Sequence, residues 1–361
     1  MPPATSASAL PDGVAPAGPP AGGRAGDTVP SPNTTLSTAP PASTPSPNAV
    51  HDDALARAAE RWSGVTLTKG HGTGNDFVLL ADPDGSRPVD EPTAAALCDR
   101  HRGIGADGMI RAVPSRLLPE GRALLDAEPA AAWFMDYRNA DGSLSEMCGN
   151  GVRVFAEFLR REGLASVEPG TVLPIGTRGG VKYVRAVDEG YAVDMGPWTL
   201  IDAAAARERG ADALVRTDGV DVDRPAVSIS MGNPHTVVAL ASVAELDALA
   251  LTRAPSVDPL PPAGTNVEFV VPADPLVGED GVAALAMRVH ERGVGETQSC
   301  GTGACAAAAA IRFWAGTGAP DRYTVSVPGG VVGVTFTAAT DGTEHVELSG
   351  PAVLVGRVDL L

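Results

Sequence analysis

Apolar and polar residues alternate in short runs along most of the chain, and glycine-rich or acidic turns separate the runs. Residues 65–68 and 77–80 predict two strands around a Gly-rich turn. Residues 92–100 predict a helix, with Glu91 and Pro92 near its start. Residues 109–113 and 133–137 predict two more strands, with 114–132 between them as a surface insertion. Residues 181–187 and 191–195 flank Asp188-Glu189-Gly190, the pattern of a hairpin. Toward the end, 323–327, 331–336 and 345–348 read as a meander broken by Gly329-Gly330 and Asp341-Gly342. Strands outnumber helices and many are joined by tight turns, which predicts an α+β fold rather than a doubly wound sheet.

Two segments of the chain echo each other. In the first, Met135 opens an apolar stretch that leads through Asn139 to Cys148-Gly149-Asn150-Gly151. In the second, Met287 opens a stretch that leads through Glu291 to Cys300-Gly301-Thr302-Gly303. Asn139 and Glu291 each stand nine residues before their cysteine. After Cys148, the residues Val152, Phe155 and Leu159 fall on one helical face. After Cys300 comes an Ala-rich run at 304–311, suited to a wholly buried helix. The repeat predicts two pseudo-symmetric lobes, each a mostly antiparallel sheet wrapped around a buried central helix. The expected division is 61–190 plus 350–361 for the N-terminal lobe with Cys148, and 191–349 for the C-terminal lobe with Cys300. Residues 1–60 are expected to be a disordered tail, because the first fifty are dominated by Pro, Ala, Ser, Thr and Gly, with no aromatic residue and only Asp12, Arg24 and Asp27 as charges.

Charge and cysteine usage then narrow the function. The formal net charge of −17 opposes binding to nucleic acid or to an anionic membrane surface. No apolar run approaches the roughly 20 residues of a membrane span, and no signal-peptide pattern opens the chain, so a cytoplasmic location is expected. Four cysteines without a CxxC pair suit neither a disulfide scaffold nor a structural zinc site. Only two lysines, Lys69 and Lys182, are present, and neither has the context of a pyridoxal Schiff base. The glycines of 103–108 match GxGxxG but precede a strand, the reverse of a dinucleotide fingerprint. No cofactor and no metal are expected.

The cysteines of the repeat remain. A thiol at a helix N-terminus meets unpaired N–H groups and the positive end of the macrodipole, which favour a thiolate. The same N–H groups bind carboxylates. Two such helix ends facing each other would hold a carboxylate between two sulfurs, one removing a proton and the other returning one on the opposite face. Cys98 and Cys305, placed inside helices, are expected to be packing residues.

Seven motifs in order give the chain a family resemblance: Gly72-Thr73-Gly74-Asn75-Asp76-Phe77, Arg138-Asn139-Ala140-Asp141-Gly142-Ser143, Met147-Cys148-Gly149-Asn150-Gly151, Gly232-Asn233-Pro234-His235, Asn266-Val267-Glu268-Phe269, Glu291-Arg292-Gly293-Val294-Gly295-Glu296-Thr297 and Cys300-Gly301-Thr302-Gly303-Ala304. From about Val65 onward it resembles the diaminopimelate epimerases. The resemblance implies cofactor-independent two-base interconversion of LL- and meso-diaminopimelate, in lysine and cell-wall precursor synthesis, with Cys148 and Cys300 acting from opposite faces. It implies substrate contacts at Asn75, Asn139, Gly149, Asn150, Asn233, Asn266, Glu291, Arg292, Gly301 and Thr302. It also implies that His235 and Glu291 tune the cysteines, that the last strand returns to the first lobe near Gly350, and that a homodimer is possible. One departure stands out: Gly108 occupies a position where many relatives carry Gln. Two other readings compete, a histidine- or proline-racemase-like enzyme of the same fold and a catalytically silent amino-acid-binding module. Retention of both motif cysteines disfavours the second.

Overall fold

Two runs of strands with the same succession of pairing directions build the molecule. The computed structural model describes residues 47–339 and 342–361. Helix α1 (Pro47–Arg61) leads into β1 (Thr66–Gly72), β2 (Asn75–Ala81) and α2 (Glu91–Cys98). Then come β3 (Gly108–Pro114), α3 (Pro119–Leu125), β4 (Trp133–Asn139) and α4 (Gly149–Arg161). The first run closes with β5 (Val172–Thr177), β6 (Gly180–Val187) and β7 (Gly190–Pro197).

The second run opens with β8 (Thr199–Leu200), α5 (Ala203–Arg209), β9 (Ala213–Arg216), β10 (Arg224–Ser230) and β11 (Pro234–Ala239). It continues with α6 (Val243–Asp247), β12 (Ser256–Asp258), β13 (Asn266–Val277), β14 (Ala283–Glu291) and β15 (Gly295–Thr297). Helix α7 (Gly301–Ala315) precedes β16 (Arg322–Val327), β17 (Gly330–Ala338), β18 (Glu344–Gly350) and β19 (Val353–Asp359).

From β1 to β7, neighbours pair antiparallel, parallel, antiparallel, parallel, antiparallel, antiparallel. The path β10, β11, β13, β14, β16, β17, β18 repeats that succession step for step. The sequence echo is thus a repeat of topology. In each lobe the sheet curls around one helix: α4 touches β1, β2, β3, β6 and β7, and α7 touches β10, β11, β13, β14, β16 and β17. Antiparallel pairing of β7 with β18 joins the lobes. The last strand, β19, returns to pair with β1.

The two central helices answer the same demand differently. In α4 the large apolar residues Val152, Val154, Phe155, Phe158 and Leu159 fill the first lobe, while Arg160 and Arg161 reach solvent at its end. In α7 the run Ala306–Ala310 is buried on every side, which lets the sheet close tightly around a thin helix. Together these residues form one continuous core with Phe77, Met135, Met287 and Leu348.

Two expectations need correction. The tail was expected to extend to residue 60, yet 47–61 is helix α1. Ala54, Ala58 and Trp62 recur every four residues, and all three are buried; Ala58 and Trp62 pack with Leu97 and Met109. Burial of that stripe offsets the ordering entropy that composition alone predicted would win. The expectation for residues 1–46 lies outside the described residues. The insertion at 114–132 is also more than surface, because it contains a short 3-10 turn and α3 and buries Ser115, Gly121 and Ala131. Among the described residues, no helix is long and apolar enough to cross a membrane.

Candidate active site

Cys148 and Cys300 are the N-cap residues of α4 and α7. Both have extended backbone, and each sulfur accepts from the N–H three residues on, Gly151 or Gly303, at 3.4 Å. The helix ends abut: a Cβ placed on Gly301 would lie 3.4 Å from Gly149 Cα and 3.5 Å from Asn150 N. Glycine at these positions is therefore a condition of the approach rather than a matter of turn geometry.

Polar groups tie the two ends together. Asn150 Nδ2 donates to Ser299 O at 3.1 Å, and Thr73 Oγ1 donates to Ser299 Oγ at 2.9 Å. Thr73, at the tip of the β1–β2 hairpin, has φ of 50°, a strained conformation for a β-branched residue. A Cβ on neighbouring Gly74 would lie 3.0 Å from the Gln298 side chain, so the hairpin tip packs directly on the segment that leads into Cys300. Asn75 Nδ2 donates to Asp107 Oδ2 at 2.9 Å, which turns Asn75 Oδ1 toward the Cys148 thiol, 3.4 Å away.

On the other side, strands β11, β13 and β14 bring His235, Glu268 and Glu291 to the start of α7. His235 and Glu268 are fully buried, with Nδ1 2.7 Å from Glu268 Oε1 and Nε2 3.0 Å from Asn233 Oδ1. A Cβ on Gly303 would lie 2.7 Å from Glu268 Oε1, so this glycine makes room for a carboxylate against the helix end. Asn266 Oδ1 accepts from the Arg292 backbone N–H at 2.9 Å, and Glu291 is held by Thr297 Oγ1. Thr302 Oγ1 lies 3.6 Å from Cys300 Sγ. Arg292 is exposed, and its guanidinium reaches the carbonyl of Ala263.

Most of the residues expected at the site therefore meet around the two helix ends. Asn139 and Arg292 are outliers: the Asn139 amide donates to Ser143 Oγ at 3.0 Å within its own turn, and the Arg292 guanidinium turns to the Ala263 carbonyl. The Gly108 departure has a steric explanation. A Cβ there would lie 2.5 Å from Tyr137 Cε2 and 2.6 Å from Arg138 O, so the Tyr137 ring fills the space a side chain would take.

The electrostatics correct one expectation. Burial pushes the Cys148 thiol up to about 11; Glu291 adds to the rise, while the Gly151 and Asn150 N–H groups and Arg153 oppose it. Burial, then Glu291 and Glu268, raise Cys300 well above the ordinary thiol range, against Thr302 and Gly303. Glu291 is itself raised by burial and by Glu268, against its bond from Thr297. Desolvation thus outweighs the helix ends and favours the neutral form of both thiols. Cys98 and Cys305 are buried, and both are pushed to about 12.

Sequence reasoning gave no individual role to Ser299, Thr73 or Arg153, and included Glu268 only within a motif. For Arg153 a signal was present: an arginine on the apolar side of a helix needs an explanation.

The family model described as "Diaminopimelate epimerase" matches residues 67–201 and 227–355. A diaminopimelate epimerase of Streptomyces coelicolor is 45% identical over 307 residues, covering 81% of this chain and 94% of that relative. The corresponding protein of Thermobifida fusca is 44% identical over 304 residues, covering 82% and 98%. Solved structures share the fold at low identity. A PhzF-family phenazine biosynthesis protein of Bacillus anthracis has TM-score 0.58 at 16% identity, covering 82% of this chain and 99% of that one. A hydroxyproline epimerase from Agrobacterium vitis has TM-score 0.54 at 16% identity, covering 82% and 93%. The repeated lobes, the paired Cys-Gly-x-Gly helix starts and these matches along the chain agree: it belongs to the diaminopimelate epimerase family.

Proposed function

We propose that the protein interconverts LL- and meso-diaminopimelate by moving a proton between Cys148, the substrate α-carbon and Cys300. The observation that carries this is the pair of N-capping thiols on abutting helix ends. The substrate carboxylate is held by the first N–H groups of the helices, at Gly149 and Asn150 and at Gly301 and Thr302. That contact also stabilises the charge that develops when the α-proton leaves. One thiolate takes the α-proton and becomes a thiol. The opposite thiol gives its proton to the other face of the carbanion and becomes the thiolate. Each direction of the reaction exchanges the two roles, and no proton is gained or lost overall.

Because burial favours the neutral form of both thiols, the attacking thiolate must form as substrate binds. The substrate's α-ammonium brings a positive charge into a desolvated cleft, which lowers a neighbouring thiol. Glu291, whose carboxyl is raised above its ordinary pKa by burial, can take the proton that leaves Cys300. Asn75 Oδ1 accepts from the Cys148 thiol and orients its proton when that cysteine is the donor. Asn75, Asn139, Asn233 and Asn266 supply neutral donors and acceptors suited to a zwitterion, and Arg292 a fork for its distal carboxylate. In this scheme His235 acts through Glu268 on Cys300. The work divides between the lobe of 61–190 with 350–361 and that of 191–349.

The test is incubation with LL-diaminopimelate in deuterated water. The expected result is the meso isomer with deuterium at one α-carbon. Racemisation of L-histidine or L-proline with diaminopimelate left untouched would overturn the assignment.

A further inference from the structure

Helix α4 carries a buried charge for which the two-thiol scheme has no use. Arg153 is fully buried. Its Nη2 donates to Asn150 Oδ1 at 2.9 Å and to Thr73 Oγ1 at 3.5 Å, while Nε and Nη1 have no hydrogen-bond partner among the described residues. No carboxylate of the described residues forms an ion pair with it; the titratable groups that act on it are Cys148 and Cys305, and burial lowers its own pKa to about 10. An apolar side chain of similar volume would spare the fold an unpaired charge. Such a group persists most readily where the charge serves a site.

Its position points to the thiols. Arg153 follows Cys148 by five residues, as Cys305 follows Cys300. The repeat thus sets a guanidinium in one helix against a thiol in the other. The hydrogen bonds extend from Arg153 to the cleft. By donating to Asn150 Oδ1, Arg153 turns Asn150 Nδ2 toward Ser299 O at 3.1 Å and Asn75 Oδ1 at 3.4 Å. Asn75 is fixed from its far side by Asp107. Two amides, held by a cation at one end and a carboxylate at the other, therefore set the surroundings of the Cys148 sulfur.

We propose that Arg153 is a positioning residue for proton transfer: it orients Asn150 so that the two cysteine-bearing helix ends stay joined, and its unpaired charge offsets the Glu291 carboxylate that opposes a thiolate at Cys148. The proposal rests on the two-thiol reading above. The groups facing Cys148 are Glu291 from β14, Tyr137 from β4, Asn75 from β2 and Arg153 from its own helix. Glu291 and Glu268 face Cys300. Arg153 is the cation in this set.

The experiment compares Arg153→Met, Arg153→Gln and Arg153→Lys with the unaltered chain. The rate of iodoacetamide labelling at Cys148 is followed by peptide mass spectrometry as pH is raised, without substrate, beside the pH profile of epimerisation. Loss of the charge is expected to move Cys148 labelling, and the low-pH rise of kcat/KM, about one unit or more to higher pH, roughly a tenfold loss of thiolate at fixed pH. Lys should restore the labelling profile and leave only a lower kcat from the misheld amide. Folded neutral variants that label like the unaltered chain would overturn the proposal. Should neither neutral variant fold, Lys decides: an upward shift with the charge still present would overturn it, and an unmoved profile with reduced kcat would support it. Labelling needs no substrate, so failure to epimerise diaminopimelate would count against the function and leave this measurement standing.

Discussion

Helices α4 and α7 begin alike and then diverge. Each starts with a cysteine N-cap and a glycine on either side of one polar residue, and each is enclosed by a sheet with the same pairing succession. Past the first turn, α4 buries large side chains and Arg153, whereas α7 buries the alanines 306–310 before Ile311. Around the sulfurs the contrast sharpens. Cys148 is half-buried and faces the Asn75 amide, with the Arg153 cation five residues on in the same helix. Cys300 is buried and faces the carboxylates of Glu291 and Glu268. Duplicated topology supplied two equivalent positions; the side chains around them made the positions chemically unequal. A site that works on both faces of one carbon needs the first property, and a site that holds a donor and an acceptor together gains from the second.

The harshest way to probe this inequality is to remove each sulfur. Cys148→Ala and Cys300→Ala are each expected to lower kcat by about a thousandfold or more, in line with loss of a general acid or base. Cys305→Ala, deep in α7, serves as control and should act through packing alone. Near-normal turnover in either sulfur variant would mean that the lobes are not both chemically active.

A subtler probe is Glu291→Gln. The Glu291 carboxylate raises both thiols, so its removal should bring both down and move the kcat/KM profile to lower pH, by about one unit. Activity should also fall, about ten- to a hundredfold, because a proton acceptor beside Cys300 is lost. The direction of the shift is opposite to that expected for Arg153→Met. A shift to higher pH would show that the carboxylate acts by hydrogen bonding rather than by charge.

The mildest effect on turnover is expected from Trp62→Ala. Here the lobes differ in their outer layer, because α1 and Trp62 cover the first sheet through a core of their own. Emptying that volume should cost about 3–5 kcal/mol, seen as a lower urea midpoint, with kcat unchanged. An unchanged midpoint would make α1 an ornament on the lobe.

The frame of the fold is legible in the sequence because the duplication is written in side chains. Cys148 and Cys300 share their glycine spacing, and Asn139 and Glu291 share their offset. Helix α1 was harder to see, since the stripe of Ala54, Ala58 and Trp62 rests on two small residues and follows a long Pro- and Ala-rich stretch. Thiol ionisation was misjudged for a physical reason. The helix ends are visible as a motif, but desolvation depends on how the lobes close over the sulfurs, which no local pattern records. Thr73 and Ser299 meet across the lobe boundary, Glu268 reaches His235 and the start of α7 from a separate strand, and contacts of that range leave no periodic trace along the chain.

Strand β19 completes the first sheet from the far end of the sequence. Thr66 Oγ1 donates to Asp359 Oδ1 at 2.7 Å across 293 residues. During synthesis the edge of β1 therefore waits, unpaired on that side, until the 293 residues up to Asp359 have been made. An open strand edge of this kind is a template for wrong partners, and a contact of such long range forms slowly. The same seam that ties β19 back to β1 leaves the first lobe's sheet open along one edge until the second lobe has been made.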